Sequence, residues 1–201
     1  MRIISGIWKG RRIKELKGFH SRPTTDFAKE GLFNVLEHSI NIEDLNVLDL
    51  FTGTGNISFE FISRGAQSVF SIDSNFSSVQ FVKKTSKLLN VPENKHHIAK
   101  LDALKYIYKT EDKFNLIFAD PPFDYSEYEK LTLAINELNI LKNDGLLIIE
   151  HFKKVDLSDF YILLYNEYLK LVLMFHFHGE ALLLRGELFL YLRGELFLSF
   201  T

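Results

Sequence analysis

No cysteine occurs anywhere in the 201 residues, which excludes both disulfide bonds and thiolate metal sites and favours a reducing compartment. The chain also has no apolar run long and uniform enough for a convincing membrane span, and its first six residues do not form the apolar core of a signal peptide. These absences predict a cytoplasmic protein with no membrane partner.

A large net charge is missing too, because 24 basic and 26 acidic side chains leave the chain at −2. The whole chain therefore carries no global electrostatic footprint for nucleic acid. The local balance differs in residues 1–22, where seven basic side chains face the single acid Glu15, for a net of +6. The basic side chains are those of Arg2, Lys9, Arg11, Arg12, Lys14, Lys17 and Arg22. Such a segment either binds phosphates or is a solvated hairpin without a partner, and both interpretations stay open.

The middle of the chain alternates between strand-like and helix-like patterns. Strands are predicted at 47–51, 68–72, 97–100, 114–119 and 145–150, and helices at 57–63, 76–89, 104–108 and 128–138. With 46% hydrophobic side chains, the chain can bury a full core as one domain. The alternation predicts an α/β fold with a doubly wound, mostly parallel, Rossmann-like sheet, whose ligand crevice lies at the carboxyl ends of the strands.

Both ends of the chain depart from this alternation. At the amino terminus, strands at 3–7 and 12–16 are predicted to form a small β-hairpin, followed by a helix that Thr25 or Asp26 would cap. The inner face of that helix would carry Leu32, Phe33, Val35 and Leu36. The tail after about residue 168 is atypical and contains an imperfect repeat beginning at Gly179, Gly186 and Gly194. Antiparallel strands broken at these glycines would complete the sheet, and the repeat itself indicates no function.

A rigid polar corner follows the most apolar strand, because Asp120-Pro121-Pro122-Phe123 comes directly after residues 114–119. Two prolines cannot pair in a sheet, so the backbone must leave it stiffly, with the carbonyl groups of Asp120 and Pro121 lacking partners in the ladder. A carboxylate, a carbonyl and an aromatic face can together bind a planar group that carries an NH2, such as a nucleobase. The alternative is an ordinary strand exit in which Asp120 caps a helix and Phe123 packs.

A glycine turn follows the first predicted strand and contains Gly53 and Gly55. Its position before a helix is typical of loops that bind nucleotide cofactors, although Ser58 stands where a dinucleotide motif would have a third glycine. Asp73 ends the next strand 20 residues after Gly53, where an acid could bind ribose hydroxyls. Asp102 and Ala103 would border the same crevice near an adenine amino group, and the Asp49 carboxylate could meet an ammonium group. Acids around a small loop suit S-adenosylmethionine better than a pyrophosphate.

Together, the segment 49–55 and the corner 120–123 resemble class I methyltransferases that modify exocyclic amino groups. Further amino-terminal motifs, Arg2-Ile3-Ile4-Ser5-Gly6, Gly10-Arg11, residues 22–26 and Glu30-x-Leu32-Phe33-Asn34, are similar to one branch of them. That branch is the bacterial 16S ribosomal RNA guanine-N2 methyltransferases of the small subunit. The resemblance runs from residue 2 to about residue 152.

The resemblance implies a Rossmann-like methyltransferase domain at 41–201 and an RNA-contacting extension at 1–40. It implies S-adenosylmethionine as the cofactor and 16S ribosomal RNA of the small subunit as the partner. The implied catalytic residues are Asp120, Pro121, Pro122 and Phe123. The implied cofactor residues are Asp49, Phe51, Gly53, Gly55, Asp73, Asp102 and Ala103. The RNA-binding residues are expected to be Arg2, Lys9, Arg11, Arg12 and Arg22.

Other functions compete with this one. The same corner serves DNA adenine-N6 and protein glutamine methylation, and a cofactor-binding RNA assembly factor without turnover is a further alternative. Ser58 disfavours an NAD-dependent oxidoreductase. No metal site is expected, because His176 and His178 would share a strand face without a neighbouring acid or third histidine. We expect a monomer.

Overall fold

The computed structural model describes residues 1–13, 26–152, 169–177, 180–185 and 188–190. Eight strands form one sheet: β1 (Asn46–Leu50), β2 (Ser68–Asp73), β3 (His96–Lys100), β4 (Phe114–Ala119), β5 (Leu141–Phe152), β6 (Leu169–Phe177), β7 (Glu180–Arg185) and β8 (Leu188–Leu190). The helices are α1 (Asp26–Ser39), α2 (Asn56–Ser63), α3 (Phe76–Leu88), α4 (Ala103–Ile107) and α5 (Tyr128–Glu137).

The strand order is β3-β2-β1-β4-β5-β6-β7-β8. Pairs from β3 through β6 are parallel, and the pairs of β7 with β6 and β8 are antiparallel. β2 and β3 are added on one side of β1, whereas β4 and the later strands are added on the other side. The switch in strand order therefore lies between β1 and β4. The predicted doubly wound, mostly parallel α/β fold is confirmed, and it places the ligand crevice at the carboxyl ends of β1 and β4.

The sheet has a helical layer on each face because its central strands are apolar on both sides. On one face, α1, α2, α3 and the amino-terminal segment share a core through Phe33, Phe59 and Phe81. On the other face, α4 and α5 share a second core through Ile107 and Leu131. The basic amino-terminal segment therefore lies on the same side of the sheet as α3.

The amino-terminal hairpin differs from the prediction. Within residues 1–13 its pairing is one antiparallel bridge between Arg2 and Arg12, and Gly6–Trp8 form a 3₁₀ turn where the end of the first strand was expected. Gly6 has φ +77°, and a Cβ there would lie 1.8 Å from the Ser63 carbonyl oxygen of α2. Close packing on α2 therefore ends the extended segment at Gly6, whereas the predicted second strand lies beyond residue 13, mostly outside the described residues.

Two further expectations concern chain ends. Asp26 is the first helical residue of α1, and its carboxylate pairs with Arg2 at 3.1 Å rather than standing before the helix as a cap; Thr25 lies outside the described residues. In the tail, β7 and β8 are antiparallel as predicted, and the segment that begins at Gly194 lies outside the described residues. β6, which precedes the repeat, runs parallel to β5. The 16 residues between β5 and β6 are long enough for the crossover that a parallel pair requires. In the described part of the chain, no helix is long and apolar enough to cross a membrane.

Candidate active site

The loop between β1 and α2 has an unusual backbone. Phe51, Gly53 and Gly55 have φ values of +61°, +55° and +73°. A left-handed conformation is costly for a residue with a side chain, about 1–3 kcal/mol, and persists only where surrounding contacts impose it. Gly55 could not carry a side chain in any case, because a Cβ would lie 2.8 Å from Phe59 Cε2. The loop is therefore held in one special shape.

Asp73 ties this loop to the end of β2. The Gly53 N–H donates to Asp73 Oδ2 at 2.8 Å, and the Asn75 N–H donates to Oδ1 at 2.7 Å. The Gly55 N–H donates to the Thr52 carbonyl at 2.8 Å. The structure thus brings Gly53 and Asp73 together, and the N–H groups of Gly53 and Gly55 both already have acceptors within the protein. The glycines instead supply the backbone shape.

The end of β3 reaches the same edge of the sheet. The Leu101 N–H donates to the Asp73 carbonyl at 3.1 Å, which places Asp102 next to Asp73 along this edge. Asp102 caps α4 by accepting from the Lys105 N–H at 3.1 Å, and Ala103 is buried as the first residue of that helix. Two partly exposed carboxylates therefore border the crevice beside the glycine loop.

Asp49 lies beneath the loop, with only 1% of its surface exposed. Its Oδ2 accepts hydrogen bonds from the Thr52 hydroxyl at 2.7 Å and from the Ser58 hydroxyl. Burial raises the pKa of Asp49 to about 6, although these two hydrogen bonds oppose the shift. In the described contacts Asp49 holds the loop, and its direct contact with a cofactor stays a prediction.

A chain of buried hydrogen bonds continues from Asp49 across the sheet. The Ser58 hydroxyl lies 2.6 Å from the Ser71 hydroxyl, which lies 2.7 Å from His96 Nε2. His96 Nδ1 lies 3.1 Å from the Ser86 hydroxyl, and burial lowers the pKa of His96 to about 3. His96 is therefore neutral and structural. Ser58, which we read only as a missing glycine, is a hydrogen-bond donor that supports the loop.

The corner at Asp120 lies between the glycine loop and β5. In the sheet, Ala119 of β4 is aligned with Leu50 of β1 and with Ile149 of β5. The next residue, Asp120, therefore lies between Phe51 on one side and Glu150 on the other. Burial first, and then the charges of Glu150 and Asp49, raise the pKa of Asp120 well above its ordinary value. Asp120 is consequently a better proton acceptor than a surface aspartate.

Aromatic rings surround this corner. Phe123 is 72% exposed, while Pro121 is buried. Tyr125 makes edge contacts with Phe51 and Tyr128, at ring-centroid distances of 5.0 and 5.2 Å. Burial, with the charges of Asp120 and Glu150, raises the pKa of Tyr128 to about 12. The predicted catalytic corner and the loop residue Phe51 therefore belong to one continuous site.

The amino-terminal segment is docked on α2 by a buried acid, Glu60, with no exposed surface. Glu60 accepts hydrogen bonds from the Ile4 and Ser5 N–H groups, each at 2.9 Å. It also forms salt bridges at 3.0 Å with Lys29 and Arg64. The sequence analysis missed this cluster. Its signal was Lys29, which falls on the inner face of α1 beside the apolar positions.

Lys29 connects the docked segment to the glycine loop. Its ammonium group donates to the Arg2 carbonyl at 2.6 Å and to Asn56 Oδ1 at 2.9 Å. Asn56 directly follows Gly55 and begins α2. One buried side chain thus contacts the amino-terminal segment, the end of the loop and Glu60.

Four of the five predicted RNA-binding residues are described. Lys9, Arg11 and Arg12 are exposed and make no ion pair with any described residue, whereas Arg2 pairs with Asp26. Arg22 lies outside the described residues. Within residues 1–13 and 26–152, no group of three or more histidine or acidic side chains is placed to hold a metal ion.

Comparison with known proteins identifies relatives over most of the chain. The family model described as conserved hypothetical protein 95 matches residues 1–165. YlbH of Bacillus subtilis is 35% identical over 162 residues, which cover 79% of this chain and 86% of that protein. Ribosomal RNA small subunit methyltransferase D of Haemophilus influenzae is 31% identical over 152 residues, which cover 75% of this chain and 78% of that protein.

Solved structures agree with the fold. A SAM-dependent methyltransferase from Agrobacterium tumefaciens has a TM-score of 0.57 at 20% identity, covering 87% of this chain and 64% of the other. Because the family model spans well over half of the sequence, the chain belongs to the conserved hypothetical protein 95 family and is a methyltransferase with a Rossmann-like α/β fold.

Proposed function

We propose that the protein methylates the exocyclic N2 amino group of a guanine in 16S ribosomal RNA of the small subunit, with S-adenosylmethionine as the methyl donor. The observation that carries the proposal is the position of Asp120, which lies at the end of β4 between the glycine loop and Glu150. The relative named ribosomal RNA small subunit methyltransferase D supports the substrate class.

The described residues of the crevice suit this cofactor. Gly53 and Gly55 shape the loop, and Asp73 and Asp102 line the strand ends beside it. Ser58 is fully buried and donates to Asp49, so no third glycine opens the helix start to a pyrophosphate. A crevice bordered by carboxylates favours a cationic nucleoside. When bound, S-adenosylmethionine supplies a methyl group that is already activated.

Guanine N2 is a poor nucleophile because its lone pair is delocalised into the ring, so the corner has to orient it. The Asp120 carboxylate and the Pro121 carbonyl would each accept one N–H of the amino group. Both protons are then held, and the lone pair points toward the cofactor crevice. The exposed Phe123 ring would stack on the base.

The amino group becomes acidic as it is alkylated, and its proton needs an acceptor. Asp120 is within reach in this arrangement, and its raised pKa, caused by burial and by Glu150, makes its ionised carboxylate a stronger base than a surface carboxylate. Asp120 would therefore both position the amino group and take its proton.

The RNA would be held by residues 1–40, the proposed RNA-contacting extension. Lys9, Arg11 and Arg12 are exposed cations without ion-pair partners among the described residues, as phosphate contacts require. Arg2, whose side chain is 44% exposed, and Arg22 complete the proposed set. A stacked guanine must also leave its helix, at a cost of a few kcal/mol that the aromatic corner helps to offset.

The test is transfer of labelled methyl from S-adenosylmethionine to small ribosomal subunits lacking the modification, compared with naked 16S RNA and DNA. N2-methylguanine in the digested product supports the proposal. N6-methyladenine in DNA would instead establish the alternative methyltransferase. Cofactor binding without transfer to any substrate would favour a non-catalytic assembly factor.

Asp120→Ala tests the corner itself, with Asp124→Ala as its matched control because Asp124 is an exposed acid four residues later. We expect Asp120→Ala to lower transfer by about 10²–10⁴-fold, the usual range for a positioned proton acceptor, with little change in cofactor affinity. Asp124→Ala should retain full activity. Retained transfer in Asp120→Ala would remove Asp120 from the mechanism.

A further inference from the structure

A groove of about 830 Å³ runs along the outer edge of the sheet, between α3 and the edge strand β3. Its walls include three lysines of α3, Lys83, Lys84 and Lys87, and the side chain of His97 on β3. All four side chains are exposed. The groove is separate from the catalytic corner, because β2 and β1 lie between β3 and β4 in the sheet.

The lysines of this groove outnumber the acids, because Glu93 is the one acid among the described residues that line it. Residues 76–100 contain five lysines and one acid, Glu93, for a net of +4 in a chain whose total is −2. The 13 residues of α3 include no acid that could pair with a lysine one turn away. Lys83, Lys84 and Lys87 form no salt bridge with any residue of the described chain. The helix therefore carries like-charge repulsion that a bound polyanion would relieve.

The groove also contains an aromatic surface. The His97 ring stacks on Phe70, with a centroid distance of 4.3 Å and an interplanar angle of 26°. Phe70 packs with the core shared by α4 and α5, so these two rings lie on the opposite face of the sheet from the α3 lysines, and the groove passes around the edge strand β3. A single-stranded nucleic acid that follows this edge can place its phosphates on the lysines and a base on the His97 ring. Small anions such as free phosphate would need no ring surface of this kind.

The distribution of charge over the rest of the molecule also favours binding of a polyanion on the face that carries α3. Residues 101–150, which include both helices of the opposite sheet face, contain ten acids and five lysines, for a net of −5. In contrast, α3 packs on the same face as the docked amino-terminal segment. A polyanion is therefore attracted to the α3 side and repelled from the α5 side.

We propose that the groove between α3 and β3 is a second RNA-binding surface, which holds the phosphate backbone of a ribosomal RNA segment outside the methylated nucleotide. Lys83, Lys84 and Lys87 contact its phosphates, and His97 stacks on a base. This inference rests on the proposed function, because it takes ribosomal RNA as the substrate. The occupant is RNA rather than a ribosomal protein, because three lysines without ion pairs among the described residues line the groove, although apolar side chains such as Val91 and Ile98 line it as well.

The test compares two double variants with the same spacing. The groove variant is Lys83→Gln with Lys87→Gln. The control is Lys109→Gln with Lys113→Gln, because these two exposed lysines lie after α4 in the net-acidic segment 101–150. Binding to 16S RNA is measured at several salt concentrations. Loss of two phosphate contacts should reduce the slope of log affinity against log salt by roughly 1.5 and lower the affinity about tenfold or more near 0.1 M salt.

Methyl transfer in the same preparations separates the possible failures. In the groove variant KM for RNA should rise while kcat and S-adenosylmethionine affinity stay unchanged, because the groove does not touch the reacting atoms. An unchanged salt slope with normal transfer by the native protein overturns the groove alone, as does an equal loss of slope in the control. Native protein that neither binds nor methylates any RNA overturns the proposed function and the groove with it.

Discussion

Replacing Glu60 with glutamine would test how the amino-terminal segment is held in place. Glu60 has no exposed surface, and its carboxylate accepts hydrogen bonds from Ile4 and Ser5 while pairing with Lys29 and Arg64. A neutral amide cannot compensate the buried Lys29 ammonium group, and its NH2 would face donors rather than acceptors. The substitution therefore leaves a buried cation largely without its counter-charge.

The magnitude follows from that uncompensated charge. Breaking a buried ion pair from one side costs about 3–5 kcal/mol. For a protein of this size each kcal/mol lowers Tm by roughly 2–4 °C, so Tm should fall by about 6–20 °C. The exposed Glu30 of α1 forms no salt bridge with a described residue, so Glu30→Gln, the matched control, should change stability by less than about 0.5 kcal/mol.

The assay uses the single tryptophan of the chain, Trp8. The backbone N–H of Trp8 donates to the Ser63 hydroxyl at 3.1 Å. Its side chain packs against the core beneath the amino-terminal segment. In Glu60→Gln, the Trp8 emission should shift to the red at lower urea than the loss of far-UV circular dichroism. That early shift would report local undocking before global unfolding.

A double-mutant cycle with Lys29→Met decides whether the buried charge is the cause. The double variant should be more stable than the sum of the two single changes implies, by about 0.5–3 kcal/mol, because it removes the uncompensated cation. The reasoning would be refuted if the stability losses of the two single variants simply added in the double variant. It would also be refuted if Glu60→Gln had the same urea midpoint of unfolding and the same Trp8 emission as the native protein.

Three further outcomes concern the loop and the corner. Because the pKa of Asp49, about 6, lies above its unfolded value of 3.8, stability should fall by about 2 kcal/mol as pH rises from 4 to 6. Urea unfolding at several pH values should lose this pH-dependent component in Asp49→Asn. Gly10→Ala should lower the free energy of unfolding by about 1–2 kcal/mol, because Gly10 has a φ of +80°. Gly55→Ala should lower it further, because its Cβ would also meet the Phe59 ring, and calorimetry should show weaker S-adenosylmethionine binding. Tyr125→Phe should leave the free energy of unfolding unchanged or raise it by about 1 kcal/mol, because the buried hydroxyl has no hydrogen-bond partner among the described residues; a marked loss of stability would show that the hydroxyl has one.

Much of the site could be predicted because its signals are local. The strand before Asp120 is apolar throughout, the prolines must end it, and parallel strands bring their carboxyl ends to one edge. The 20-residue interval from Gly53 to Asp73 is also local, since one helix and one strand separate them, and the two residues do meet at 2.8 Å. By contrast, Glu150 joined Asp120 only through the pairing of β4 with β5.

The amino-terminal hairpin shows why other features could not be predicted. Nothing near Gly6 in the sequence announces that its backbone must fit against Ser63, 57 positions later. That contact, with the hydrogen bonds to Glu60, holds Gly6–Trp8 in a 3₁₀ turn where the end of the first strand was expected. The parallel course of β6 likewise depended on which sheet edge the chain reached after β5, and the repeat does not encode that choice.

The α/β alternation, the glycine loop, the acids at the strand ends and the Asp120 corner can all be predicted from the sequence, because each depends on residues close together in the chain. Three other features emerge only from the folded chain: Ser58 and Thr52 hold a buried Asp49, Lys29 and Glu60 anchor the amino-terminal segment, and the α3 lysines line one groove. These features depend on desolvation and on contacts between distant segments. Burial is a property of the assembled fold, and the local residue pattern does not contain it.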